Sequence, residues 1–410
     1  MTSAATPAQL RRWGVAAFLI AVAVSLAGLL SPPKLFANGN FFDSGLRLLR
    51  DEREVRVYFD RGQWLADRGR PYSQEYFQEY PPAGVLFLAL PRLFTADAAV
   101  YQFIFAALTS VLFGLLFWIT GKILAFFGRP LKYLWLLLLP GVLYFSIWRF
   151  DVLPAVLVAA AILALTEKRL GRAGLWLALG GLVKFYPAFF LLPLLMLAAS
   201  GGARPEPTPG RRDAVRAAAA AVIVGLGGVL WLAGPEAFLS PVLFHLGRGF
   251  EIGSLGDVMI WLAGFAGGGS VWLAVILAAV FAALQFAAFI LLLIYGRVAD
   301  TGSFIRACLF LLLPFMLFNR FISPQWVVWL VPLAILVSDR RETAVLGLLG
   351  AAVYLQFPVL FGLDPFAWHY KVVSALLLAG IAWLAWHNAA VMRRDGHLRR
   401  NTPKTPAPGG

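Results

Sequence analysis

The stretch "GGLVKFYPAFFLLP", residues 180–193, decides how this chain is threaded. It lies inside an apolar run, 173–199, and about 20 such residues suffice to cross a bilayer once. Yet it carries Lys184 and Pro187. An interior proline breaks the helical hydrogen-bond ladder, and a charge deep in lipid is costly. The run therefore reads as two short half-helices forming a hairpin with Lys184 near its outer tip. One kinked helix with a snorkelling lysine is the other reading. The flanks favour the hairpin, because basic residues collect in cytoplasmic loops. Both "EKRLGR" (167–172) and the loop 200–216 are basic, and only a hairpin leaves them on one side.

The composition agrees with a membrane protein. Of 410 residues, 60% are hydrophobic and 14% charged, against roughly 45–50% and about 25% in soluble domains. Backbone polar groups in lipid must be satisfied within each segment, so the expectation is an all-α polytopic protein with about 10–12 transmembrane helices, some short or broken. Short alternating segments of the β-barrel kind are not present.

Arg11 and Arg12 precede an apolar run, 13–31, read as a retained first helix with a cytoplasmic N-terminus. The loop 32–82 then lies outside; residues 32–80 of it hold eight acids and eight bases. Residues 98–119 cross inward to the basic 121–132, 133–148 cross outward to "WRFD" (148–151), and 152–166 return. After the hairpin, 214–234 lead out to a second external loop, 235–256. Segments 270–295, 303–318, 326–338, 343–361 and 370–387 then alternate. Residues 1–387 thus form one integral-membrane domain, and 388–410 read as a disordered, basic, cytoplasmic tail. Topology accounts for the net charge of +14, and nucleic acid is not needed as a partner.

Cysteine and histidine chemistry is sparse. Cys308 is the one cysteine, and the four histidines are scattered, so neither a disulfide nor a zinc site is expected. The informative polar residues gather at the external corners instead. Arg149, Asp151, Lys184, Arg248 and Arg320 all fall there, beside the carboxylate-rich first loop. Cations at an outer lipid boundary suit a reaction at an anionic lipid head group. They stabilise a departing phosphate while a carboxylate takes a proton from an attacking hydroxyl. Taken singly, each corner also has a plain structural reading. Tyr80-Pro81-Pro82 can simply start a helix. Arg149 and Asp151 can pair to hold a tight turn, and His245 reads as an interfacial polar residue rather than a base.

In order along the chain stand Glu54-Val-Arg-Val-Tyr58, Gly69-Arg-Pro71-Tyr72, Glu79-Tyr80-Pro81-Pro82, "RFDVLPA" (149–155), "GGLVKFYP" (180–187), "HLGRGFEIGSL" (245–255) and "SPQWVVWLVPL" (323–333). This pattern resembles the GT-C membrane glycosyltransferases, and more narrowly the bacterial polyprenol-phosphate-mannose-dependent mannosyltransferase-like family. The resemblance implies a GT-C-like fold with an extracytoplasmic active site in the bacterial plasma membrane. It implies a polyprenyl-phosphate sugar donor, usually of mannose, and inverting transfer to a hydroxyl of a glycolipid or glycan. It further implies a carboxylate base in the first external loop, four residues before a tyrosine. Relatives carry aspartate there; this chain has Glu54, with Asp51, Asp60 and Glu79 as the other candidates. Relatives also place a glutamate directly before "SL", where this chain has Gly253-Ser254 and its acid is Glu251.

Lys184, Arg248 and Arg320 are the residues for the donor phosphate, arginine offering a forked donor and lysine a point charge. Tyr58, Tyr72, Tyr80, Arg149, Asp151, His245, Glu251 and Gln325 are the expected contacts to sugar and acceptor. No cofactor is expected, and a divalent ion is an option only because some of the wider superfamily bind one. A transporter or flippase of a lipid-linked glycan, and a catalytically inactive relative, stay open as alternatives. No internal repeat of the transporter kind is visible.

Overall fold

The computed structural model describes residues 6–30, 49–68, 79–200, 236–265 and 271–398. Within them the chain is helical, and the sole β feature is an isolated bridge between Gly296 and Leu398. Five of the described helices are long and apolar enough to cross a membrane. They are α1 (Pro7–Leu30), α4 (Ala98–Phe126), the helix Trp272–Tyr295, the run Arg340–Leu363 and the last helix, Trp368–Arg394. A sixth crossing is available if the segments Leu131–Leu138 and Pro140–Trp148, bent by 64° against each other, count as one.

The remaining apolar helices are shorter. At ~1.5 Å per residue they fall below the ~30 Å of a hydrocarbon core. Broken backbone of this kind is tolerated at membrane depth only where protein covers it. That condition is met at the bend, since every residue of α5 (Pro140–Trp148) after Pro140 is buried. The consequence is functional, because α5 ends at Arg149 and delivers its guanidinium into protein rather than lipid.

Between these elements lie α2 (Glu52–Arg68), in the first external loop, and α3 (Pro82–Ala89), which opens on a proline at a position where no amide donor is required. The helix α6 (Val152–Thr166) follows Arg149 and Asp151, and α7 (Leu170–Val183) runs back beside it. The break expected at Lys184 is present. Residues after it form α8 (Tyr186–Phe189) and α9 (Leu191–Ala199). A methyl group placed on Gly180 would lie 2.9 Å from Pro187 Cβ, and one on Gly181 would lie 3.0 Å from Ala188 Cβ. In a continuous helix residues seven apart are about 10 Å apart, so the chain folds back on itself here. The loop 200–216 and the span 214–234 lie outside the described residues, apart from Ser200 at the end of α9.

The later helices are α10 (Glu236–Gly247), α11 (Leu255–Phe265), α12 (Val271–Tyr295), α13 (Thr301–Leu317), α14 (Val327–Ala334), α15 (Arg340–Tyr354) and α16 (Trp368–Arg394). Carboxylates start several of them. Asp97 accepts from Ala99 N and Val100 N at α4, and Asp300 and Asp339 form capping boxes at α13 and α15.

Polar contacts sort the corners into two ends. At one end Arg306 donates to Glu342 at 2.6 and 3.1 Å, to the Val337 carbonyl and to Asn388, while Arg129 reaches the Ser338 carbonyl. These are the corners expected to be cytoplasmic. At the other end the first loop meets Arg149, Lys184 and His245, and residues 246–253 in turn meet Arg320 and, through Asp257, Lys371. The tail differs from expectation. The last helix continues through Asn388 to Arg394, because Asn388 is buried against Arg306 rather than solvated.

The tight fold-back yields a stability test. Gly180→Val should overpack the contact with Pro187 and destabilise the protein by about 1–3 kcal/mol, read as a lower thermal midpoint in detergent. Gly264→Ala, where nothing lies within 4 Å, should leave the midpoint unchanged or slightly raised.

Candidate active site

The amphipathic helix α2 sets the first wall. Asp51, immediately before it, and Val55, Tyr58 and Gly62 share its buried face, and Glu54 sits at the margin of that face. The guanidinium of Arg149 enters from the α5–α6 corner and takes both acids. Its Nη2 donates to Asp51 Oδ2 at 2.6 Å and its Nη1 lies 2.5 Å from Glu54 Oε1. The side chains of Arg149 and Asp51 are only 9% and 8% exposed, whereas Glu54 is 26% exposed. One arginine thus carries a buried carboxylate and an open one. Beside this pair, Trp148 Nε1 donates to the Leu49 carbonyl at 2.6 Å, which ties the chain just before α2 to the same corner.

Burial on its own would raise the Glu54 carboxyl. The charge of Arg149 and its hydrogen bond outweigh that, with Arg61 and Tyr58 adding to the effect, and hold Glu54 below the usual carboxylate value. It is ionised at neutral pH and able to accept a proton.

Arg149 and Asp151 do not pair with each other, as a simple turn-holding reading expects. Asp151 is fully buried and accepts from Lys184 Nζ at 2.6 Å and from Trp329 Nε1 at 2.8 Å. The Lys184 ammonium also lies 4.5 Å from the Phe150 ring centre, 5.2 Å from Trp329 and 5.6 Å from Tyr80. An ammonium so enclosed is stabilised by its carboxylate and by the aromatic faces. Lys184 therefore joins α7, α6 and α14 beneath the site, with Tyr186 stacked on Trp329 at 4.2 Å.

The second wall comes from residues 244–254 and 320–326. Arg248 pairs with Glu251 and lies over the rings of Phe321 and Phe244, at 4.9 and 5.0 Å. Glu251 is pushed up by burial, against the charge of Arg248. Arg320 faces backbone. Its Nη1 donates to the carbonyls of Leu246 at 2.6 Å and Arg248 at 3.0 Å. His245 Nε2–H donates to the Glu79 carbonyl, 3.1 Å away, and the ring stacks on Phe321. Burial and the charge of Arg248 push this imidazole below its ordinary value, so it is neutral at pH 7.

The other expected residues fall in several places. Glu79 pairs with Arg61, whose guanidinium lies over Tyr80 at 4.9 Å. Tyr80 meets Phe150 edge-on at 4.9 Å, and Tyr58 meets it at 5.8 Å. Gln325 is buried in the turn Pro324–Trp326. Asp60 is set apart, exposed and paired with Arg56 on the outer side of α2. Tyr72 lies outside the described residues. Arg61, Phe150, Trp329 and Phe321 also line the site and were missed. Arg61 sits seven residues after Glu54, two helical turns along the same face, and that spacing was available in the sequence.

Three side chains with ligating atoms near one another, Asp339, Glu342 and His387, stand at the opposite end. They are already engaged: Glu342 holds Arg306, Asp339 caps α15, and His387 bonds Asp339 at 3.0 Å.

The family model for glycosyltransferase family 87 matches residues 77–317. That is more than half of the chain, which therefore belongs to this family of GT-C-type membrane glycosyltransferases. No curated protein matches. Among solved structures the chain is similar to the mycobacterial arabinofuranosyltransferase AftD, at 18% identity with a TM-score of 0.38. The match covers 94% of this chain and 27% of that one; at that score it carries no argument.

The enclosed lysine yields a prediction. Lys184→Met leaves Asp151 buried without its charge partner and should cost about 3–5 kcal/mol. A strongly lowered thermal midpoint of the purified variant is the expected readout, and Lys184→Met with Asp151→Asn together should recover part of it.

Proposed function

We propose that this glycosyltransferase moves a hexose, of the mannosyl type, from a polyprenyl-phosphate donor to a hydroxyl of a lipid-linked or glycan acceptor. The reaction takes place at the extracytoplasmic face of a bacterial plasma membrane, with both termini cytoplasmic. The observation that carries the reading is the partly exposed carboxylate of Glu54 on Arg149, with the loop that carries Arg248 joined to the same group of residues by the bond from His245 to the Glu79 carbonyl.

In the step proposed, Glu54 takes the proton of the acceptor hydroxyl as its oxygen attacks the anomeric carbon from the face opposite the phosphate. The bond from that carbon to the phosphate oxygen breaks, and the electron pair leaves with the polyprenyl phosphate. The configuration inverts. Arg248 is the cation for the charge that develops on the phosphate. Arg320 supports it by holding the Arg248 carbonyl, and Lys184 contributes field from below. Asp51, bound and buried, keeps Arg149 in place rather than acting as base. The chemistry needs no cofactor or metal ion, since a carboxylate and fixed guanidinium groups supply both the proton acceptor and the charge.

The direct test is incubation of purified protein with polyprenyl-phosphate hexose or pentose and total lipid, followed by mass spectrometry for a gain of one sugar. Glu54→Gln should lower the rate on the order of 10²–10⁴-fold while donor binding persists; full activity in that variant would assign the base elsewhere. Because Glu54 is held below its ordinary value, the part of the acid limb that belongs to Glu54 should have its midpoint below 4.5. Arg149→Gln removes the opposing charge and should move that acid limb upward. Sidedness follows from labelling. A cysteine at Asp60 should react with an impermeant reagent in intact cells, and one at Arg341 only in inverted vesicles.

A further inference from the structure

We infer that Lys371, together with Asp257, is a positioning residue that sets the loop 248–254 for its phosphate-binding task. The inference rests on the donor reading above, and neither residue was singled out by the sequence. Lys371 stands in the first turn of α16, outside the residues matched by the family model.

The loop 248–254 has no helix of its own, so its shape depends on what grips its backbone. Two grips are present. At the front, Arg320 donates to the carbonyls of Leu246 and Arg248, and its own carbonyl accepts from Glu251 N at 2.8 Å. At the back, Asp257 Oδ2 accepts from Gly253 N at 2.7 Å and from Lys371 Nζ at 2.6 Å. One carboxylate oxygen thus joins the loop to the last transmembrane helix. Lys371 is 5% exposed, and a lysine buried to that degree is retained with its charge only beside a carboxylate.

The loop is also seated closely. Gly253 has φ +86, a conformation that residues with a side chain avoid. A methyl group there would lie 3.0 Å from Ser374 Oγ and 3.2 Å from Gln356 Nε2. Ser374 and Gln356 are themselves bonded at 2.8 Å, so the floor under Gly253 is fixed. Arg248 and Glu251, a partly exposed charged pair, sit between the two grips. Their placement is decided by Lys371 and Asp257 on one side and by Arg320 on the other. A displacement near 1 Å at such a group costs on the order of 100-fold in rate.

The test uses the full-length protein and two readouts. One is hydrogen–deuterium exchange of the peptide covering 248–254, which needs no activity. The other is binding of sugar-free polyprenyl phosphate in detergent. Lys371→Met should deprotect the Gly253 amide and weaken polyprenyl phosphate by about tenfold or more, given the on-the-order-of-100-fold sensitivity above. Lys371→Arg should restore much of both. Lys371→Met alone leaves the partly buried Asp257 without its partner, so the pair Asp257→Leu with Lys371→Met is the second variant. It should regain thermal stability, because apolar replacement of a buried ion pair is tolerated, yet keep the loop deprotected and the binding weak. Normal protection and binding in that stable double variant would overturn the inference. If the wild type itself binds no polyprenyl phosphate while its loop loosens in the variants, the grip is upheld and the donor assignment falls.

Discussion

The buried guanidinium of Arg149 is the constraint around which the active end is built. An arginine that is 7% exposed must be matched by negative charge or it destabilises the fold. The match is supplied by Asp51 and Glu54, at the start of α2. This charge pairing and the buried apolar face of Val55, Tyr58 and Phe59 together dock α2 on the transmembrane body. The Trp148 to Leu49 hydrogen bond, one residue away, fixes the approach. Because the arginine has two carboxylate partners, it can be satisfied by the buried one and still present the other.

Beneath that pair the aromatic residues perform a second task. Phe150, Tyr80, Trp329 and Tyr186 surround the Lys184–Asp151 contact and keep water from it. Low local polarity makes each charge there count for more, and it also makes an unmatched one expensive. Arg306 with Glu342 and Asn388 plays the equivalent part at the other end, joining α13, α15 and α16. Charge pairs thus hold the two ends, while the helical middle relies on packing.

Much of this was visible in the residues. Lys184 and Pro187 marked the fold-back because a charge and a proline cannot both sit in an unbroken lipid-facing helix. Asp51, Glu54, Glu79, Arg149, Asp151, Lys184 and Arg248 were all marked as candidate functional residues from charge placement and motif order. Partner choice was not visible. Arg149 and Asp151, two residues apart, read as a local pair and instead reach Glu54 and Lys184, because the turn between them points the two side chains to opposite sides. Asp60, grouped with Glu54 by proximity in sequence, lies on the far side of α2 once the helical turn is applied. Arg320 read as a phosphate ligand, and its Nη1 donates to two carbonyl groups that sequence cannot place.

What the sequence by itself determined is the class: a helical membrane protein of the GT-C glycosyltransferase kind, with its candidate site residues at polar corners between apolar runs. Hydrophobicity, proline placement and the positive-inside bias are local properties, so they are readable along the chain. What only the tertiary structure decided is which carboxylate is open, which cation is already matched, and that residue 371, far along the chain, grips the loop at 253. Those are facts of pairing across long separations. A buried charge takes whichever partner the packing brings within reach, and no local pattern encodes that choice.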